Sequence, residues 1–172
     1  ITWVLAVGSL LIAAAIAVPA FLFSRHQLID RTTALLAAEA ERERQRVELR
    51  VAFDLSAAES LATNTVTSNA LADSMGRDAY LVPLLRNQRL QVAGARLELA
   101  DYRGRVIAAS AVPESSGYQQ EPAFDRLMDS GIAQTVMSGP GDADQGRLQV
   151  FLPVVYRLPG AVEGALVLSM PL

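Results

Sequence analysis

The sequence has no cysteine and no lysine, a single histidine and few aromatic residues, 6% of 172. Without cysteine there are no disulfides, no thiolate metal ligands and no cysteine nucleophile, and the absence suits an oxidising or a reducing compartment equally. With His26 as the only histidine, neither a Ser-His-Asp triad nor a Cys-His dyad can be assembled in the rest of the chain. The common zinc sites are excluded for the same reason. All fifteen basic residues are Arg, set against eighteen acidic ones for a net charge of -3. Nucleic-acid binding needs clustered excess positive charge, which this balance does not supply.

What the chain does have is apolar sequence beyond the needs of one globular domain. Residues 1–23, "ITWVLAVGSLLIAAAIAVPAFLF", carry no charge. As a helix they span roughly 34 Å, against a hydrocarbon core of about 30 Å. The expectation is a transmembrane helix over 1–23, with His26 at its interfacial edge. Ala15-Ile16-Ala17 has the small-x-small form of a signal-peptide cleavage site, but the apolar run continues past it, so a retained anchor is preferred to a cleaved signal. Arg25 and Arg31 alone would place the following domain in the cytoplasm, a half-count that needs the residues flanking the other end of the run.

Residues 24–62 contain neither Gly nor Pro and are rich in helix formers, so they read as a long signalling helix that continues the anchor. Within it, 39–50 ("EAERERQRVELR") alternates four Glu with four Arg. Glu39 with Arg42, Glu41 with Arg44 and Glu43 with Arg46 fall at the spacing of helix-surface ion pairs, a solvated face rather than a binding patch. Beyond it Val47, Val51, Leu55, Ala58 and Ala62 form an apolar stripe. Its partner is either the domain's own sheet or a second copy of the helix.

The remainder, 63–172, reads as a globular domain. A bend encloses a short helix over 66–73, and Asp78 is the expected N-cap of a helix in "AYLVPLLRNQRL", where Pro83 either marks a later start or a kink. Strands are expected over 96–101, with Leu97 and Leu99 on one face, and over 105–110, with Val106 and Ala108 also directed to the core; Gly104 supplies the turn. A helix over 122–129 closed by Gly131 follows, then a strand over 132–137 and a loop over 138–146. Two long strands end the chain. Leu148, Val150, Leu152, Val154 and Tyr156 share one face, and Val162, Gly164, Leu166, Leu168 and Met170 share another. The fold class is α+β, with an antiparallel, meander-like sheet.

Chemistry-bearing clusters are scarce. Asp142, Asp144 and Gly146 resemble a calcium loop, but Arg147 follows the glycine where the pattern needs oxygen ligands, so a plain turn is preferred and no metal or cofactor is expected. Glu98, Asp101, Glu114, Glu121, Asp125 and Asp129 show no spacing that would join two of them at one substrate, and are read as solubilising residues.

The succession of membrane helix, long helix, the hairpin "RLELADYRGRVIAAS" and the closing "FLPVVYRLPGAVEGALVLSMPL" resembles the Cache (PDC, extracytoplasmic PAS-like) sensor domain of bacterial transmembrane receptors. The segment "NALADSMGRDAYLVPLLRNQRL" resembles the stretch before the first sheet hairpin in such domains of histidine kinases and diguanylate cyclases. The likeness covers nearly the whole chain. It implies a non-enzymatic domain outside the cytoplasmic membrane, in the periplasm, with the N-terminus inside and a second membrane helix beyond Leu172. It also implies a homodimer that signals through shifts of the membrane-proximal helices, here 25–62. Amino-acid-binding members carry a Tyr, Arg and Trp signature before the hairpin; the only Trp here is Trp3, so amino-acid sensing is not supported. In such a fold an unidentified small-molecule ligand would sit between the sheet and its covering helices, and Tyr80, Arg86, Arg89, Tyr118, Arg126 and Tyr156 are the candidate ligand-binding residues. Arg86 or Arg89 is suited to a carboxylate. The competing expectation is a ligand-free module that dimerises or docks a periplasmic partner protein.

Overall fold

A computed structural model describes residues 2–72, 76–113, 117–138, 146–156 and 161–171; within residues 2–30 the side chains of Arg25 and Gln27 alone are described. Nine elements follow in order: α1 (Thr2–Ala62), α2 (Thr65–Ala72), α3 (Arg77–Arg86), β1 (Arg96–Asp101), β2 (Val106–Ala109), α4 (Pro122–Ser130), β3 (Gln134–Ser138), β4 (Arg147–Val155) and β5 (Val162–Pro171). The chain divides into two units, Ile1–Arg46 and Val47–Leu172.

The first unit is helical. Two ion pairs expected from its spacing are formed: Arg44 donates to Glu41 through two nitrogens at 2.9 and 2.7 Å, and Arg46 pairs with Glu43. The Arg44 guanidinium holds the Glu41 carboxyl below its ordinary pKa. Among the described residues no helix is long and apolar enough to cross a membrane. The run 1–23, on which the transmembrane expectation rests, lies outside the described side chains, as does His26.

In the second unit the sheet is antiparallel throughout, in the order β2-β1-β5-β4-β3. Leu97, Leu99, Leu148, Val150, Leu152, Val154, Leu166, Leu168 and Met170 turn one face towards the helices. There they meet Val51, Leu55, Ala58, Leu61 and Ala62 of α1, Ala70 of α2, and Leu81 and Leu85 of α3. The α1 stripe is thus covered by the domain's own core from Val51 onward, whereas Val47 is exposed. On the other face α4 lays Ala123, Phe124 and Leu127 over Ala100, Phe151, Ala165 and Val167. Helices on both faces leave the middle strands no solvent side, which is why β1 and β5 are buried almost residue by residue.

Local signals explain most boundaries. Pro122 starts α4 with its φ already helical, and Gly131 ends it in the left-handed region (φ 68), its N–H donating to Leu127 O at 2.8 Å. α3 departs from expectation. Gly76, in the left-handed region at φ 84, precedes the first turn with no side-chain cap, and Asp78 lies within that turn, where a carboxylate suits the helix dipole. Pro83 stays inside the helix, neither starting nor ending it.

Two irregularities in register also correct the expected alternation. Leu99 pairs with Ala108 but Ala100 pairs with Val106, so a residue is inserted in β2 and Val106 turns to the α4 face, away from Leu97 and Leu99. Likewise Val154 pairs with Gly164 but Val155 with Val162, and Val162 joins the α4 side. β3 begins at Gln134, two residues later than expected, since Ile132 and Ala133 remain exposed outside the ladder. The expected loop residues 139–145, Asp142 and Asp144 among them, lie outside the described residues, as does Glu114.

Candidate functional site

A strand between two helical layers must fill both faces with side chains that tolerate burial. On the α4 face this is met at one end of the sheet and not at the other. The register places the side chains of this face in cross-strand rows: Ala100, Ala165 and Pro153; then Glu98, Val167, Phe151 and Gln134; then Arg96, Ser169, Gln149 and Val136. Arg147, on the same face of β4, follows in the next row, opposite Pro171 and Ser138. The first two rows bed α4. The last two turn polar and are half-buried apart from the buried Ser169 and the exposed Ser138.

Glu98 is 2% exposed and Ser169 4%, and both lie in the interior of the sheet, on β1 and on the central strand β5. The Tyr118 hydroxyl donates to Glu98 Oε2 at 2.6 Å, and the Tyr118 ring meets Phe151 edge-on with centroids 5.3 Å apart. Tyr118 is held there from its backbone. Its N–H donates to Gly104 O, and Gly104, at φ 74, is the one residue type that permits the approach, because a Cβ would stand 2.9 Å from Gln119 N. The Ser169 hydroxyl has no hydrogen-bond partner among the described residues. A buried hydroxyl without a partner costs about 1–3 kcal/mol, so its retention needs a reason. Arg96 and Gln149, directly opposite on either side and half-buried, bring further hydrogen-bonding groups to the same row.

The hairpin between β1 and β2 supports this face. Asp101 Oδ1 accepts the N–H groups of Arg103 and Arg105 at 2.9 and 3.0 Å, and Oδ2 accepts Arg105 Nε at 2.9 Å and a second guanidinium nitrogen at 2.7 Å. Burial pushes the Asp101 carboxyl up, but the hydrogen bonds from Arg105 and Arg103 and the Arg105 charge outweigh it, and the net direction is below the ordinary aspartate value. Asp101 and Glu98 are therefore structural and buried, not solubilising. Among the described residues no three acidic or histidine side chains gather as a metal site.

The six residues singled out from the sequence fall on different parts of this architecture. Tyr80 and Arg86 are exposed on α3, and Arg89 is exposed just past it, on the side of the sheet where Leu81 and Leu85 pack. Arg126 is exposed on α4, and Tyr156 is exposed just past β4. Tyr118 is the one that is buried, and it joins Glu98. The structure does not bring the six together, since α3 and α4 lie on opposite faces of one sheet. Glu98, Ser169, Arg96, Gln149 and Arg147 escaped sequence reading because alternation in a strand separates two faces without saying that both are covered. One signal was available: Glu98 lies inside an otherwise apolar strand, between Leu97 and Leu99.

The antiparallel sheet of this order, with a helical layer on one face and a short helix on the other, is an α+β architecture that recurs in a solved structure. The chain is similar in structure to the sensor domain of the histidine kinase DctB of V. cholerae, at a TM-score of 0.54 and 19% identity over 79% of this chain and 56% of that one. It therefore spans little more than half the length of that domain. Comparison of the sequence with protein-family models and with curated proteins gives no match.

Proposed function

We propose that the chain is the extracytoplasmic sensory domain of a membrane-bound signal-transduction receptor of the Cache type. It senses a small molecule on the α4 face of its sheet and relays that state through α1 to a cytoplasmic kinase or cyclase module, and it has no catalytic activity of its own. The reading places the globular part in the periplasm and the run 1–23 in the bacterial inner membrane. The observation that carries it is the polar end of the α4 face, where the buried Ser169 hydroxyl has no hydrogen-bond partner among the described residues. Enclosed hydrogen-bonding groups beside an apolar bed are the usual lining of a small-molecule site.

A thermal-denaturation screen of the chain against organic acids, amines and nucleobases tests this. A ligand that binds only the folded state raises the midpoint in proportion to the logarithm of its concentration. At least one class is expected to do so saturably. A screen in which no small molecule moves the midpoint overturns ligand sensing.

Self-association belongs to the same proposal. Leu49 and Phe53, four residues apart on α1, are 71% and 54% exposed, an apolar pair on the helix side that the core does not use. A second copy of the helix is their proposed partner. This pair equally favours the second reading, a ligand-free dimerisation or partner-docking module, if the screen fails while association persists.

A further inference from the structure

The segment between α3 and β1, residues 87–95, forms no helix or strand, yet it is held at fixed points to two other elements. Asp54 of α1 is fully buried, and its carboxylate accepts the Gln91 N–H at 2.6 Å on one oxygen and the Val92 N–H at 2.9 Å on the other. Two successive backbone donors fix a carboxylate in direction as well as in distance. The chain then turns, with the Ala95 N–H donating to Val92 O at 3.1 Å, and Gly94 within the turn takes φ 79. Gly94 lies against the Pro171 ring at the end of β5. A Cβ at this position would stand 3.3 Å from Pro171 Cγ, closer than two such carbons usually approach. Immediately afterwards Arg96 pairs with Ser169 at the same end of that strand. A short path thus leads from a latch on α1 to a contact on β5.

We infer that residues 91–94 are a joint that couples α1 to the end of β5, with Asp54 as its latch. The apolar contacts that α1 makes through Val51, Leu55 and Ala58 are non-directional and tolerate a small slide or rotation of the helix. The two hydrogen bonds to Asp54 are directional and do not, so they set the position of α1 along and about its own axis. Helix shifts in switching proteins are about 1–2 Å, enough to take both bonds beyond hydrogen-bond length. The latch therefore has two states, made and broken, rather than a continuous range. The inference rests on the sensory reading above for its use and names the relay: a change in the row of Ser169, beside Pro171 on β5, reaches α1 through Gly94, Val92 and Asp54.

Amide hydrogen exchange of the whole chain, without ligand, tests the joint in both directions. Asp54→Asn keeps one acceptor oxygen and loses the charge and the second bond. Exchange at Gln91 and Val92 is expected to rise, and with it exchange at residues 168–170 of β5, by about fivefold or more. In the opposite direction, Gly94→Ala presses a methyl group against the Pro171 ring and is expected to accelerate the amides of residues 52–58 of α1. The same substitution in a Pro171→Ala background meets no ring. The backbone strain at φ 79 is common to both backgrounds, so a smaller effect in the second isolates the contact. Gly94 is exposed and Pro171 half-buried, and this pair decides the question even where Asp54→Asn unfolds the chain. The Gly131 N–H, which closes α4 on the other face of the sheet, is the reference for global opening and is expected to stay unchanged. Undisturbed exchange at 168–170 in a folded Asp54→Asn chain, an α1 response to Gly94→Ala that is absent or equal in the two backgrounds, or equal acceleration at Gly131 overturns the joint. No ligand enters the measurement, so a silent thermal screen overturns sensing and leaves the joint standing, whereas absent coupling overturns the joint and leaves sensing standing.

Discussion

At the scale of single residues, the hairpin shows a polar group whose role is set by local geometry. Asp101 gathers two backbone N–H groups and one guanidinium within four residues of itself, and its pKa is held below the ordinary value of 3.8. A carboxyl depressed in the folded state adds stability above its unfolded pKa and loses it as pH falls through the folded value. The Asp101 contribution is therefore complete at neutral pH, begins to fall near about pH 4 and is lost progressively as pH drops through the lowered folded value. Asp101→Asn is expected to cost about 1 kcal/mol at pH 7, since the neutral amide keeps an acceptor for the N–H groups but loses the charge-assisted pair. Arg105 is well exposed, so solvent screening keeps the figure small. Urea unfolding from pH 7 to pH 3 measures it, and a difference between the two proteins that stays constant across that range contradicts the assignment. The turn at Gly104 was legible because it acts locally, but Asp101 and Glu98, both read as solubilising, were not. Glu98 meets Tyr118, which lies 20 residues away in sequence and whose approach Gly104 permits.

At the scale of elements, local punctuation and long-range pairing separate in the same way. α4 was readable from Pro122 and Gly131, and β1 from Leu97 and Leu99, because each signal acts within its own element. The inserted residue of β2 was not, since a register shift is a relation between two strands and leaves no trace in either alone. Asp54 lies between these cases. It falls on the same side of α1 as Val51, Leu55 and Ala58, where a carboxylate contradicts the apolar pattern, and the sequence reading passed over it. The structure resolves the conflict: Asp54 is fully buried, and the N–H groups of Gln91 and Val92 donate to its two oxygens at 2.6 and 2.9 Å. These two bonds tie α1 to the segment that feeds β1. Asp54→Ala leaves two donors unsatisfied and is expected to destabilise the domain by about 2–4 kcal/mol, with Asp54→Asn recovering part of that loss. Amide hydrogen exchange at Gln91 and Val92 reports the tie directly. Undiminished protection of both amides in Asp54→Ala rules it out.

At the scale of the molecule, the question is which apolar surface the second unit leaves uncovered. Its core takes Val51, Leu55, Ala58, Leu61 and Ala62 from α1, a face that excludes Leu49 and Phe53. Those two lie four residues apart, one helical turn, and so present one contiguous contact to a partner. Exposed apolar residues are common singly, but two large ones stacked on a helix whose opposite side is already packed suit helix pairing. The charges before them, Glu41, Glu43, Arg44 and Arg46, carry both signs, so a second copy meets no one-signed barrier. Burying a Leu or Phe side chain contributes about 1.5–3 kcal/mol. Replacing Leu49 and Phe53 together by Gln is therefore expected to weaken self-association of the chain by roughly two orders of magnitude or more, while both positions, being exposed, leave the folded domain intact. Sedimentation equilibrium of the parent and the double variant, with thermal midpoints at concentrations where both are monomeric, separates association from folding. If the parent chain stays monomeric at high concentration, or if the double variant associates as strongly as the parent, the Leu49 and Phe53 face is not the contact, and relay between copies through this part of α1 loses its basis.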